Sequence, residues 1–260
     1  MAATARGTAS DIGDSRVVTT GARLGYAAGG LLHLVIGWLA VSLAWGGSGS
    51  SADQSGALSE VGSTPLGSSL LWVVVVGFAL LAVWQATAIV TATKAKDRLT
   101  HVAKAVTYVA LAGLAAAIAT GSSSGGGSGE TKSMTATVMA QPLGQLAVGV
   151  LGAVIIGVGI FHVVKGWRRT FLEDLRQNPG RWVVLAGRVG YVAKGIALGV
   201  VGALFVIAAL TNDPEEAEGL DGALRTLLEL PLGKALLTAV GIGLAAYGVY
   251  SFGRARYAKV

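Results

Sequence analysis

Six runs of apolar residues, each long enough to cross a lipid bilayer, dominate this 260-residue chain. They cover about 23–45, 66–92, 98–120, 143–165, 187–210 and 232–252. A hydrocarbon core of roughly 30 Å needs about 20 helical residues. Inside that core no water can satisfy the peptide groups, so each run must be a helix. None of the runs contains Asp or Glu. The five prolines (Pro65, Pro142, Pro179, Pro214, Pro231) lie between the runs or at their edges, where a missing N–H does least harm. Only 13% of the residues are charged, about half the usual share of a soluble domain. The 39 glycines fit close helix packing in a membrane. The absence of cysteine excludes disulfides, thiolate metal sites and cysteine nucleophiles. Residues 1–20 are small and polar, without the apolar core of a cleaved signal. They are expected to be a disordered cytoplasmic tail, with the first span acting as an uncleaved anchor.

Charge placement predicts the orientation. The N-terminus, the second and fourth linkers, the C-terminus and the helix ends beside them hold 17 of the 20 Lys and Arg residues but only 5 of the 14 Asp and Glu. The opposite side holds 3 and 9. Lys and Arg collect on the cytoplasmic side of membrane proteins. Both termini are therefore expected in the cytoplasm, in a bacterial plasma (inner) membrane, with the odd-numbered linkers outside. The net charge of +6 then needs no nucleic acid. Its expected partners are anionic lipid headgroups at the cytoplasmic face, with a membrane-protein partner or a second copy of the chain as further possibilities.

The chain also repeats itself. Pro-Leu-Gly opens each even-numbered span, at Pro65-Leu66-Gly67, Pro142-Leu143-Gly144 and Pro231-Leu232-Gly233. Nineteen residues after each Pro stands an aromatic: Trp84, Phe161 and Tyr250. The odd-numbered spans align on Arg23, Arg98 and Arg188, followed three residues later by Tyr26, His101 and Tyr191, then by the small residues Gly30, Ala105 and Gly195. The odd spans are offset by 75 and 90 residues and the even spans by 77 and 89. These near-equal registers define three tandem two-helix units. The expected boundaries are 21–93, 94–170 and 187–256, with a cytoplasmic linker at 171–186 and a tail at 257–260. The expected fold is an all-α polytopic bundle of six transmembrane helices, arranged as three helix hairpins about a pseudo-threefold axis along the membrane normal. Before each Pro-Leu-Gly a weakly amphipathic segment (Ala57-Leu58 with Val61, Met134 with Val138, and Leu220 to Leu228) is expected to form a short helix, lying in the outer interface or tucked into the bundle. The Pro is expected in the first turn of the following helix.

Arg23-Leu24-Gly25-Tyr26-Ala27-Ala28-Gly29-Gly30, its counterpart Arg188-Val189-Gly190-Tyr191-Val192-Ala193-Lys194-Gly195, and the Gly-Ala-Leu pairs at Gly56 and Gly222 resemble domain-of-unknown-function family 1206, a bacterial membrane family common in actinobacteria. The resemblance covers nearly the whole chain beyond residue 20. It implies six helices in three repeats and supplies no catalytic residues. The middle copy departs from the pattern: Thr100-His101 replaces Gly-Tyr, and Ser133-Met134-Thr135 replaces Gly-Ala-Leu.

Candidate site residues are few. His33 falls about 15 Å into the first span, where an ionisable group is a functional candidate by default; a neutral His hydrogen-bonded to a neighbouring helix is the preferred reading. His162 lies near the inner end of the fourth span, and a His33–His162 metal or haem pair is conceivable without being required. His101 is expected to pack near the inner surface. Lys104 and Lys194 share a repeat position; they could bind anionic lipid or a substrate carboxylate, or snorkel to the nearer interface. Gln85 is expected to bond a neighbouring helix. The in-span glycines lack a preceding strand and are read as packing positions, not phosphate loops. No catalytic triad, membrane carboxylate for proton coupling or pore-lining ring is evident. The chain is therefore read as non-enzymatic, without cofactor or resident metal, binding lipid or another hydrophobic ligand or stabilising a membrane partner. A passive channel or transporter along the axis is the alternative. A His33/His162 enzyme or electron carrier ranks last. The orientation has a direct check: a cysteine introduced at Glu216 should react with an impermeant maleimide in intact cells, and one at Arg256 only after permeabilisation.

Overall fold

The computed structural model describes residues 15–47, 49–122, 127–176 and 179–258. Nine α-helices appear among them. Six are long and apolar enough to cross a membrane: α1 (Arg16–Ala44), α3 (Gly67–Thr91), α4 (Ala95–Ala119), α6 (Gly144–Arg168), α7 (Arg181–Thr211) and α9 (Gly233–Tyr257). Three are short: α2 (Gln54–Gly62), α5 (Ser128–Met139) and α8 (Leu220–Glu229). The expected disordered tail falls partly outside the described residues. Its end is helical, because Ser15 caps α1 by accepting from the Val18 N–H at 3.3 Å. The region 171–186 is likewise more than a linker. A 3₁₀ turn (Thr170–Asp174) buries Phe171 completely, Leu175 pairs with Ala258, and α7 begins at Arg181.

Pro-Leu-Gly proves to be a turn. The Gly N–H bonds the carbonyl of the residue before Pro in all three copies: Gly67 to Thr64 (2.8 Å), Gly144 to Gln141 (2.9 Å) and Gly233 to Leu230 (2.7 Å). Each long helix starts at this Gly, so Pro occupies the turn corner and not the helical first turn expected. A Cβ on the Gly would collide with a carbonyl of the preceding short helix: Gly62, Val138 or Leu228. The leucines project outward, 70%, 78% and 82% exposed.

Glycine also decides which long helices touch. At the α9–α1 junction a Cβ on Gly37 would lie 2.5 Å from the Gly241 carbonyl oxygen, and one on Gly30 would lie 3.0 Å from that of Gly248. At the α6–α7 junction the same repeat positions meet: Gly195 on Gly159 (2.5 Å) and Gly202 on Gly152 (2.7 Å). Helix backbones approach this closely only where side chains are absent. The corresponding positions of the third junction, between α3 and α4, are Val75, Ala82, Ala105 and Ala112.

A second set of glycines joins the helices within a repeat. Gly25 of α1 sits on the Gly77 carbonyl of α3, and Gly190 of α7 sits on the Tyr247 backbone of α9, each at 2.5 Å for a built Cβ. Gly243 meets Ala193. In the middle copy the positions of these glycines are held by Thr100 and Val154. Correspondingly, α4 and α6 share no packed interface. Of the three expected hairpins, those of the first and third repeats pack (α1 with α3, α7 with α9) and that of the middle repeat does not. The helices form an open chain in the order α4–α3–α1–α9–α7–α6, with its most extensive contacts between successive repeats. Only 6% of the apolar window of α4 and 17% of that of α6 is buried, against 33–50% in the other four.

The short helices close one end of the bundle. Leu58 of α2 and Leu224 of α8 are fully buried, in one core with Leu32, Ile36, Leu71, Phe78 and Leu237. By contrast α5 stays at the surface, with Met134 64% exposed. Their connections join one another: the Ala52 N–H donates to Asp221 at 2.7 Å, and Lys132 pairs with Glu218 at 2.8 Å. At the other end the Arg176 N–H donates to the Tyr257 carbonyl at 2.7 Å. The acidic and basic linkers are thus gathered at opposite ends.

The packing asymmetry predicts an asymmetry of tolerance. Gly202→Leu should destabilise the protein by about 1–3 kcal/mol through overpacking, whereas Ala112→Leu at the matching position should cost clearly less. Thermal unfolding of both variants in detergent checks this; equal losses would contradict the glycine-seam account.

Candidate functional site

All six tyrosines stand toward the basic end of the bundle; Tyr257 closes α9, and the other five are Tyr26 on α1, Tyr108 on α4, Tyr191 on α7, and Tyr247 and Tyr250 on α9. Repetition explains much of this, since Tyr26 and Tyr191 share one repeat position. Tyr191 is the hub. Its ring lies 5.1 Å from Tyr247, 5.4 Å from Tyr250, 5.4 Å from Phe171 and 5.7 Å from the His162 ring. The two tyrosine contacts are edge-to-face and Phe171 is stacked, both of them favoured arrangements of aromatic rings.

Three cations lie against these rings, and a fourth, Lys104, is near enough to feel their charges. The Arg254 guanidinium lies 4.3 Å from the Tyr26 ring centroid, and its Nε is buried without a hydrogen-bond partner. The Lys165 Nζ lies 5.5 Å from the Tyr191 centroid and pairs with Asp174 at 2.7 Å. The Lys194 Nζ lies 4.4 Å from the Tyr247 centroid. Lys104, about 14 Å along α4 from its first residue, feels the charges of Arg254, Asp174 and Lys165. Lys165 and Arg254 occupy one repeat position, four residues beyond Phe161 and Tyr250. Asp174 is the one carboxylate paired with any of these cations among the described residues. The cluster therefore carries three more positive charges than negative ones, within a bundle that otherwise faces hydrocarbon.

The sequence candidates divide into two groups. His33, His162 and Lys194 belong to this cluster of rings and cations, and Lys104 lies within reach of its charges. The His33 Nδ1–H donates to the Gly29 carbonyl at 2.7 Å. Its Nε2 lone pair therefore accepts from the Lys194 ammonium, at 3.3 Å. Lys194 does not snorkel, because the imidazole lone pair and the Tyr247 face hold it inside. With both nitrogens engaged, His33 has no lone pair left for a metal. The His162 Nδ1–H donates to the Val158 carbonyl at 2.8 Å. The aromatic path from His33 to His162 runs through Tyr247 and Tyr191. Gln85 and His101 form the other group, tying α3 to α4: the His101 Nδ1–H donates to the Gln85 Oε1 at 2.6 Å.

Sequence reasoning missed Arg254, Lys165, Asp174 and the tyrosines as site residues. Their charges were read only as a topology signal. The shared register of Lys165 and Arg254 was the available clue.

Comparison with known proteins fits this architecture. The family model described as "Domain of Unknown Function (DUF1206)" matches three times, at residues 24–90, 99–169 and 189–258. The chain belongs to the DUF1206 family. Each match coincides with one two-helix repeat, and the break at 170–188 contains the Phe171 turn. A curated relative, "Uncharacterized protein YxxB" of Bacillus subtilis (strain 168), is 32% identical over 248 residues, covering 90% of this chain and 89% of the relative. No solved structure matches. Among the described residues, no group of three or more His, Cys, Asp or Glu side chains is placed to hold a metal ion.

Asp174 gives the site a measurable pH dependence. Burial works to raise its pKa, but the Arg254 charge and the Lys165 hydrogen bond outweigh it and hold the carboxyl below the usual range. A depressed folded-state pKa contributes stability above the unfolded-state value and loses it as pH falls through the folded-state value. Asp174→Asn should therefore lower the melting temperature at pH 7, and the gap from the unaltered protein should close below pH about 4. A melting series over pH 3–8 tests this; a gap independent of pH would show that the ion pair contributes nothing.

Proposed function

We propose that this DUF1206 protein is a non-enzymatic multi-pass protein of the bacterial plasma membrane that binds an anionic amphiphile. The charged group would sit in the Arg254–Lys104–Lys165–Lys194 chamber, and the apolar chain would leave between α4 and α6. The uncompensated positive charge carries this reading. An ammonium or guanidinium away from bulk water costs several kcal/mol unless an anion or strong hydrogen bonds offset it. Asp174 offsets one charge of four, and the Nε of Arg254 lacks a partner. A phosphate or carboxylate supplies the missing acceptor, and the tyrosine hydroxyls are donors suited to its remaining oxygens.

The route follows from the open edge. An amphiphile in the membrane reaches a laterally open chamber without passing through water. The two helices that bound it are apolar on their exposed surfaces: α4 exposes Val106 and Val109 by more than 60%, and α6 exposes Val154 and Phe161 by more than 55%. By charge distribution the chamber belongs to the cytoplasmic half, with both termini cytoplasmic. The alternative, a passive channel along the axis, needs a continuous polar path. The leucine-rich core under α2 and α8 speaks against one, since Leu58, Leu224 and Leu237 fill the acidic half at 0% exposure.

Native mass spectrometry of protein extracted gently from membranes should show an anionic adduct that Arg254→Gln loses. Lys104→Glu is more telling. It should abolish the adduct while raising the melting temperature of the ligand-free protein by a few degrees, about 1 kcal/mol, because it turns a repulsion within the chamber into an attraction. An adduct-free protein, or neutral lipids retained equally well, would overturn the proposal.

A further inference from the structure

Outside the chamber, the ends of α6 and α7 enclose a groove of about 710 Å³ lined by Arg169, Gly180, Arg181, Trp182, Leu185 and Arg188, among others. The local chain builds it deliberately. Arg169 ends α6 in the left-handed conformation (φ 57°), which turns the chain out of the helix axis and into the Phe171 turn. Gly180, also at positive φ (87°), starts α7 beside it. Arg188, two turns into α7, lays its guanidinium 5.1 Å from the Trp167 ring centroid of α6. No carboxylate pairs with Arg169, Arg181 or Arg188 among the described residues. Three arginines thus line one concave surface, and none of them has a carboxylate partner among the described residues. Arginine forks match phosphate oxygens in geometry as well as charge.

Level and surroundings identify the source of that phosphate. Trp167 and Trp182 are 69% and 82% exposed, and exposed tryptophans mark the headgroup level of a bilayer. Beyond them the groove wall becomes apolar, with Leu185 51% exposed. A phosphate seated among the arginines therefore continues naturally into an acyl chain lying along α7. We propose that this groove is a second binding site, which holds the headgroup phosphate of an anionic phospholipid from the adjacent leaflet. It stands apart from the chamber: its cations are different residues, and none of them contacts the chamber tyrosines in the ring and cation contacts present.

The test is native mass spectrometry of the purified full chain in detergent, titrated with phosphatidylglycerol or with phosphatidylcholine. The unaltered protein should bind phosphatidylglycerol at least tenfold more tightly than phosphatidylcholine at this site. In the K104E background, which lacks the chamber adduct, the further change R169Q/R181Q/R188Q should remove the remaining preference, and R169K/R181K/R188K should retain part of it, guarding against a mere folding defect. K104E alone should lose one bound phosphatidylglycerol and keep the one in the groove, so failure of the groove and failure of the chamber give different results. Phosphatidylglycerol preference in K104E/R169Q/R181Q/R188Q equal to that of K104E alone would overturn the proposal. Full displacement of phosphatidylglycerol by an equal concentration of inorganic phosphate would also overturn it, in favour of a free-anion site.

Discussion

Close contact between glycine backbones is the interaction on which the rest of this structure depends. In a membrane the lipid tails are as apolar as leucine side chains, so helices gain little by merely hiding apolar surface from the solvent. They gain by packing more closely than lipid can. Gly30, Gly37, Gly241 and Gly248 provide that contact at one junction, and Gly152, Gly159, Gly195 and Gly202 at its counterpart. The same repeat positions meet in both, which links the triplicated sequence to its packing. The within-repeat contacts use Gly25 and Gly77 in the first copy and Gly190 and Gly243 in the third. Thr100 and Val154 stand there in the middle copy, and there the ring of helices stays open. A departure of two residues from a repeated pattern is thus sufficient to account for the lateral gap.

The gap matters because the two halves of the bundle differ in kind. On the acidic side, α2 and α8 insert leucines and make a dry core. On the basic side, tyrosines, histidines and cations occupy the interior. Cation–π contacts and the His33–Lys194 hydrogen bond lower the cost of the buried charge without cancelling it. Charge balance, not shape, is therefore the argument for an anionic occupant. An amphiphile is its natural form, because the opening faces hydrocarbon.

Bilayer-length apolar runs, the repeat and the division of charge were all legible in the sequence, since each rests on residue type and spacing alone. Helix starts were less so: Ser15 extends α1 beyond its apolar run, and Arg181 starts α7 within what reads as a linker. Hairpin pairing was legible for the first and third repeats, whereas the closer contacts between repeats and the unpacked middle hairpin were not, because sequence adjacency says nothing about which glycine faces which. Thr100 was visible as an oddity, but its consequence needed the partner position Val154. The site was half legible. His33, Lys104, His162 and Lys194 attract attention as ionisable groups within spans. Lys165 and Arg254 do not, because a base near a helix end is ordinarily a topology signal. Only the turn of α6 into Phe171 and Asp174, and the inward register of α9, bring those two into the interior.

The central claim is that the chamber beneath the leucine-rich core is filled by an anion whose chain exits between α4 and α6. Its most direct test is a high-resolution density map of the protein extracted with its surrounding lipid. The account predicts headgroup density within hydrogen-bonding distance of the Arg254 Nε and the Lys104 Nζ, continuing as a chain through the opening. Density showing α4 packed against α6, with Lys104 turned away to the membrane surface, would contradict it.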